Sequence, residues 1–269
     1  MNWLHIQRGT APLIVSMPHT GTELPPEILP QLRSEWLARK DTDWHIDKLY
    51  AFAADLGATL VRTAISRTVI DVNRDPSGAS LYPGQITTGL CPLETFDDEP
   101  FYDQPLSEAE IARRRDHYFT PYHDALAAEI ERLQSAHGTV VLYDAHSIRS
   151  RVPRLFEGEL PVLNIGTNHG RTCASELEAS IARIASASDY SAITNGRFKG
   201  GWTTRHYGRP ADGIHAVQME LACRGYLAEP KAFEPDTWPV AYDPERAAPI
   251  QAVLRPILQA CIDFAERTS

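Results

Sequence analysis

Thiol chemistry is scarce in this sequence. Its four cysteines, Cys91, Cys173, Cys223 and Cys261, stand far apart with no CxxC pair. Neither a disulfide framework nor a thiolate zinc site is indicated, and a reduced, cytoplasmic protein is expected. Cations are outnumbered, with 26 Lys and Arg against 35 Asp and Glu for a formal net charge of −9. No nucleic-acid partner is expected, because phosphate binding needs clustered Lys and Arg. A small anionic ligand stays possible, since a local pair of arginines suffices to hold one. No apolar run reaches the roughly 20 residues of a membrane span, and the opening MNWLHIQRG lacks the basic-then-apolar form of a secretory leader. No membrane partner is expected. Internal repeats and low-complexity linkers are missing too. What is there is 269 residues, 43% hydrophobic and 23% charged, able to bury a substantial core in one large α/β domain or two small ones.

Short apolar runs recur, and several end in chemistry. TVVLYDAHS (139–147) reads as a buried parallel strand, which need not alternate polar with apolar because both faces are covered. It is expected to stop at Asp144, His146 and Ser147. LIVSM (Leu13–Met17) ends at Pro18-His19-Thr20-Gly21, where Pro18 cannot join a ladder and Gly21 permits a sharp turn. Strand-like stretches also fall at 58–63, at 68–72 (TVIDV, leading into Asn73-Arg74), at 162–166, at 192–195 and at 215–221, which carries Glu220. Helix signals lie between them. A short helix is expected over 31–39, and Asp43 could cap a second that stops at Gly57. Ser107 and Glu110 make a capping box for a long helix to about Gln134, which Pro121 should kink. Further helices are expected over 173–185 and 244–267. Strands alternating with helices predict a single α/β domain over 1–269 with a largely parallel sheet. Residues 77–104 form a long irregular connection of the kind that serves as a lid or substrate loop, with Tyr82, Leu90, Phe96, Phe101 and Tyr102 as apolar anchors.

In open α/β sheets the ligand crevice lies beyond the carboxyl ends of the strands. His19, Asn73, Arg74, Asp144, His146 and Glu220 would meet at such an edge. His19 and His146 each follow an apolar strand directly, whereas His45, His117, His123, His137 and His206 sit in helical or turn contexts and read as structural. Two imidazoles and one carboxylate meet the ligand count of a catalytic zinc, which keeps an open position. Asp43 could be that carboxylate or only a cap, and Glu23, four residues after His19, could be it instead. Arg67 and Arg74 flank an apolar stretch, either as salt-bridged residues or as a bidentate grip on a substrate carboxylate. Glu220 is an acid in an otherwise apolar strand, costly unless paired or given a task. Burial would raise its pKa toward the range useful in proton transfer. Ser147 adjoins His146, but no GxSxG elbow surrounds it, and a serine nucleophile is not supported.

Taken together, SMPHTG (16–21), DTDWHIDKLY (41–50), SRTVIDVNRDP (66–76), DAHS (144–147), GGWTTRHYG (200–208) and VQMEL (217–221) resemble the N-formylglutamate amidohydrolase (N-formylglutamate deformylase) family of histidine degradation. The resemblance runs through nearly the whole chain. It implies a three-layer fold like that of zinc carboxypeptidases and related deacylases, a twisted mixed sheet with helices on both faces. It implies one zinc, or another divalent ion, per chain, with His19 and His146 as ligands. Those relatives carry the carboxylate ligand as HxxE, but position 22 here is Thr22. Asp43 takes its place because it belongs to a family-like motif, whereas Glu23 does not. By the same likeness Asn73 and Arg74 clamp one substrate carboxylate, with Arg67 or Arg205 for the other. Glu220 is the general base, and Asp144 supports it in the catalytic set by orienting a ligand. The implied reaction is hydrolysis of N-formyl-L-glutamate to formate and L-glutamate, the last step of a histidine degradation route. Two readings compete: deacylation of another N-acyl amino acid on the same site, and a non-catalytic sensor of an acidic amino acid.

Overall fold

Seven strands make one mixed sheet in the computed structural model, which describes residues 2–79, 84 and 87–268. They are β1 (Leu4–Gln7), β2 (Leu13–Met17), β3 (Thr59–Thr63), β4 (Val140–Ile148), β5 (Leu163–Gly166), β6 (Ala192–Thr194) and β7 (Ile214–Ala222), in the order β1-β3-β2-β4-β7-β5-β6. The four central strands β3, β2, β4 and β7 are mutually parallel. β1 runs antiparallel to β3 and β5 antiparallel to β7, while β6 follows β5. Every residue of β2, β4 and β7 is buried, which is why these strands are written as apolar runs. β1 alternates half-buried with exposed positions, as an edge strand covered on one face does. It carries too short a pattern to be read from the sequence.

Alternate residues of the central strands point into two separate cores. Val140 and Leu142 pack with Ile14 and Ala216 against Tyr122, Leu126, Ile130 and Leu133 of α4 (Thr120–His137). Val141 and Tyr143 pack with Leu13, Val15, Val217 and Met219 against α5 (Ser175–Ser186) and α7 (Pro244–Arg267). Layers of helix, sheet and helix result. α7 begins where Asp243 accepts from the Glu245 and Arg246 backbone N–H groups, so Pro244 at its first turn costs no hydrogen bond. The expected box at Ser107 is formed on the hydroxyl side: its Oγ accepts from Glu110 N–H and opens α3 (Glu108–Arg114).

Several expectations need correction. Residues 68–72 are turns rather than a strand, because their apolar side chains Val69, Ile70 and Val72 fill the α4-side core from a loop. β4 does not stop at Asp144 but runs through Ile148, since β7 pairs with it along its whole length. The helix expected over 31–39 is instead a short 3₁₀ turn, Leu29–Gln31, and a single-turn helix α1 (Leu37–Lys40). The one expected after Asp43 is likewise broken, into α2 (Ile46–Leu49) and a 3₁₀ segment, Ala51–Leu56, ending as predicted at Gly57. At Pro121 the irregularity takes the form of a π segment, Arg115–Phe119, just before the proline. In the 77–104 connection, Leu90, Phe96, Phe101 and Tyr102 are buried anchors, while Tyr82 lies outside the described residues. Among the described residues no helix is long and apolar enough to cross a membrane.

Candidate metal centre and substrate cavity

Unequal strand lengths create the site. β2 pairs with β4 only as far as Ser16 and Asp144, whereas β4 and β7 continue together to Ile148 and Ala222. Past Asp144, the β2 side of β4 is therefore open to the loop that leaves β2. That loop brings Pro18 and His19, and Asp43 is tied to it by its backbone N–H to His19 O at 3.0 Å. Gly21 lets this loop turn against residues 64 and 65, where a Cβ would lie 2.2 Å from Ile65 O. On β7, Gln218 and Glu220 stand directly opposite Asp144 and His146 of β4.

His19 Nδ1 and His146 Nδ1 both face one oxygen, Asp43 Oδ2, at 3.7 and 3.0 Å. The far nitrogen of each ring meets another carboxylate: His19 Nε2 lies 2.6 Å from Asp71 Oδ1 and His146 Nε2 lies 3.1 Å from Asp144 Oδ2. A carboxylate behind an imidazole keeps the proton on that far nitrogen and turns the near lone pair toward a common point. Among the described residues, His19 Nδ1 is buried without a hydrogen-bond partner. The ligand atoms of His19, Asp43 and His146 all lie within 4.8 Å of one another. An orphaned imidazole nitrogen beside a second imidazole and a carboxylate is a donor set that fits a divalent cation. Asp43 caps no helix; its Oδ2 instead accepts from Ser147 N–H at 3.1 Å. Glu23 is exposed on its loop, with its backbone bridged to Ile65.

The charges are strongly coupled to this geometry. Burial works against ionised Asp43, but the His19 and His146 imidazoles outweigh it and hold its pKa below the usual carboxylate range. Burial likewise opposes ionised Asp71, and Arg74, His19 and Arg67 together pull it well below that range. His146 is pushed down by burial yet raised well above an ordinary imidazole by Asp144 and Asp43. Glu220 moves the other way: burial pushes its pKa up to about 8, His146 and Arg67 opposing while Asp43 and Asp144 add.

A cavity of ≈ 230 Å³ opens onto the cluster, lined among others by His19, His146, Glu220, Arg67, Arg74 and Arg197. Arg67 is pinned to Asp71 at 2.8 Å and lies over the Phe96 ring, 5.2 Å from its centroid. Arg74 donates from Nε to Thr88 O at 3.0 Å. Asn73 accepts from Thr203 N–H through Oδ1, and its Nδ2 reaches His146 Nε2 at 2.9 Å and Asp144 Oδ2 at 3.3 Å. Arg205 is not brought to the cavity wall; its Nε donates to Gly200 O. Ser147 Oγ accepts from the Tyr226 hydroxyl at 2.7 Å.

Three residues at this site escaped the sequence reading. Asp71 is the acid inside the apolar TVIDV run, readable by the same logic as Glu220. Gln218 lies two residues before Glu220 on one strand, hence on the same face. Arg197 comes from an irregular connection that carries no signal.

An α/β sheet with a candidate metal centre at its carboxyl edge and an arginine-lined cavity above it defines the class of protein. The N-formylglutamate amidohydrolase family pattern matches residues 11–227, and the chain belongs to that family. It is similar to the N-formylglutamate deformylase of Pseudomonas putida, 44% identical over 268 residues that cover 98% of this chain and 97% of that one. It is also similar to the N-formylglutamate deformylase of Pseudomonas aeruginosa, 43% identical over 262 residues and 96% of each. Among solved structures, the N-formylglutamate amidohydrolase of Ralstonia eutropha superposes with a TM-score of 0.82 at 25% identity, covering 100% of both chains. The protein is thus an enzyme, an amidohydrolase.

Proposed function

We propose that this amidohydrolase cleaves N-formyl-L-glutamate to formate and L-glutamate, and that it does so with one zinc ion held by His19, Asp43 and His146. In this role it ends a histidine degradation route. The observation that carries the reading is the meeting of two imidazole Nδ1 atoms at one Asp43 oxygen, in the wall of a cavity that Glu220, Arg67 and Arg74 also line. When bound, a divalent cation polarises the formyl oxygen and makes water a better nucleophile.

The remaining steps belong to the chain's own side chains. Glu220 takes one proton from the attacking water and gives it to the leaving nitrogen as the C–N bond breaks. The formic acid so released loses its proton to the free amine, leaving formate and the ammonium form of glutamate. Asp71 and Asp144 hold the two imidazoles in place. Because His146 Nε2–H donates to Asp144 Oδ2, that nitrogen cannot accept from Asn73, and one Asn73 N–H is left for the substrate. Asn73 and Arg74 thus hold one carboxylate, and Arg67 or Arg197 the other, Arg197 taking the part first expected of Arg205. Two cationic contacts are how an acidic protein selects a dicarboxylate.

Dialysis against a chelator should abolish activity, and zinc at one equivalent per chain should restore it. Glu220→Gln should lower kcat by about 10²–10⁴-fold with zinc still bound. In a panel of N-formyl, N-acetyl and N-succinyl amino acids, N-formyl-L-glutamate should be the best substrate. Full activity without metal, or preference for another acyl group, would overturn the reading.

A further inference from the structure

We propose that Gln218 is a positioning residue for Glu220, and that the backbone of the GGW turn holds it to that task. The proposal rests on Glu220 being the base. Gln218 and Glu220 are two residues apart on β7 and so project from the same face; across β4 they are paired with Asp144 and His146. The four side chains form a two-by-two block of the sheet, all buried.

The orientation of the Gln218 amide is dictated. Gly201 N–H points at Gln218 Oε1 from 2.6 Å, and a backbone N–H can only donate. The oxygen of the amide must face the turn, which leaves its NH₂ toward Glu220 Oε2 at 3.0 Å. Among the described residues this is the hydrogen-bond donor that reaches the Glu220 carboxylate. Two residues further on, at the start of α6 (Trp202–Tyr207), Thr203 N–H does the same to Asn73 Oδ1 at 2.8 Å. That turns the Asn73 NH₂ toward Asp144 and His146. One short stretch of backbone therefore aims two amides, one at the base and one at the carboxylate behind a ligand.

The glycines of the turn fit this duty. A Cβ on Gly201 would lie 2.5 Å from Asn73 Nδ2, inside the amide that Thr203 N–H seats. Gly200 holds φ +104, a conformation side chains avoid. The contribution of this turn is the placement of two N–H groups. Without the Gln218 donor, the Glu220 carboxylate is free to rotate about its last torsion, and the proton it must take is no longer in line.

The test uses the zinc-loaded enzyme and N-formyl-L-glutamate, with Gln218→Met made alone and in the Glu220→Gln background. Met keeps the length and lacks the donor. Gln218→Met should lower kcat by about 10–100-fold, the usual worth of a hydrogen bond to a charged group, with KM and zinc content little changed. In the Glu220→Gln enzyme the same substitution should change the residual rate by less than about threefold, because a residue that acts through the base has nothing left to act on. If Gln218→Met does not fold, Gln218→Leu removes the same donor with a shorter apolar side chain, and the same loss of kcat is expected. Wild-type kcat in either folded variant, or an equal loss in both backgrounds, would overturn the proposal. Full activity of Glu220→Gln by itself would instead overturn the base on which it rests.

Discussion

Asp71 serves three partners at once: His19 Nε2 at 2.6 Å, Arg67 at 2.8 Å and the Asn73 backbone N–H at 2.9 Å. It is the residue through which a candidate metal ligand and a cavity-lining cation are held in one piece. Asp71→Asn should weaken zinc binding by about 10–100-fold, the range for outer carboxylates of metal sites, as read by competition with a chelating dye. Unchanged affinity would remove Asp71 from the site. The same residue sets an acid sensitivity. Its folded pKa lies well below the unfolded value, so its stabilisation is present above the unfolded pKa of about 4 and is lost as pH falls through the folded value. Denaturation of the wild type and Asp71→Asn should therefore converge as the pH drops below about 4. His19, His146 and Glu220 were legible because each interrupts or ends an apolar strand. Asp71, an acid inside the apolar TVIDV run, was as legible as Glu220, but Asn73 and Arg74 just beyond it drew the functional reading. Arg205 and Arg197 show the limit: which arginine of the 195–207 stretch faces the cavity depends on how the connection before α6 closes.

At the scale of elements, the periodicities that survive folding are the long ones. The Pro244–Arg267 helix and the strands 13–17, 140–148 and 214–222 follow from apolar runs and caps, since both layers demand them. The misread elements are short and lie where tertiary contacts outweigh local pattern. Residues 68–72 bury apolar side chains without pairing, and the chain from 31 to 56 breaks into single turns between Pro30 and Gly57. His45, at φ 63, marks the break that lets Asp43 face inward rather than cap α2. The turn before α6 makes a sharp prediction. Gly201→Ala would force its methyl into the Asn73 amide, so zinc affinity and kcat should fall together, with about 1–3 kcal/mol of stability lost. Calorimetric zinc titration and thermal melting check this; a variant with native affinity would mean that Asn73 yields without consequence.

For the molecule as a whole, the candidate ligands come from three separate segments: the loop after β2, the turn before α2 and the carboxyl end of β4. A cation bound by all three binds the native state alone. At 100 times its dissociation constant it should add about 2.7 kcal/mol of stability. The size of that gain depends on pH. With its folded pKa raised, His146 stabilises the metal-free protein fully below its unfolded value of about 6.5, and that contribution is lost as pH rises through the folded value. A cation must displace the same Nδ1 proton, so zinc affinity grows with pH. The melting shift caused by zinc should accordingly be larger at pH 8 than at pH 6; a shift independent of pH would exclude His146 as a ligand. The pairing of His146 with Glu220 across β4 and β7 has an evolutionary corollary. Neighbouring strands are spaced by about 4.8 Å whatever the loops around them do. Insertions in the connections that roof the cavity can therefore retune which acyl amino acid enters without altering the gap between the candidate ligand His146 and the proposed base Glu220. A slip of one residue in β7 would turn Glu220 into the opposite layer and end the chemistry at a stroke. Substrate range is free to drift in this architecture, while the reaction type is locked into the ladder of the sheet.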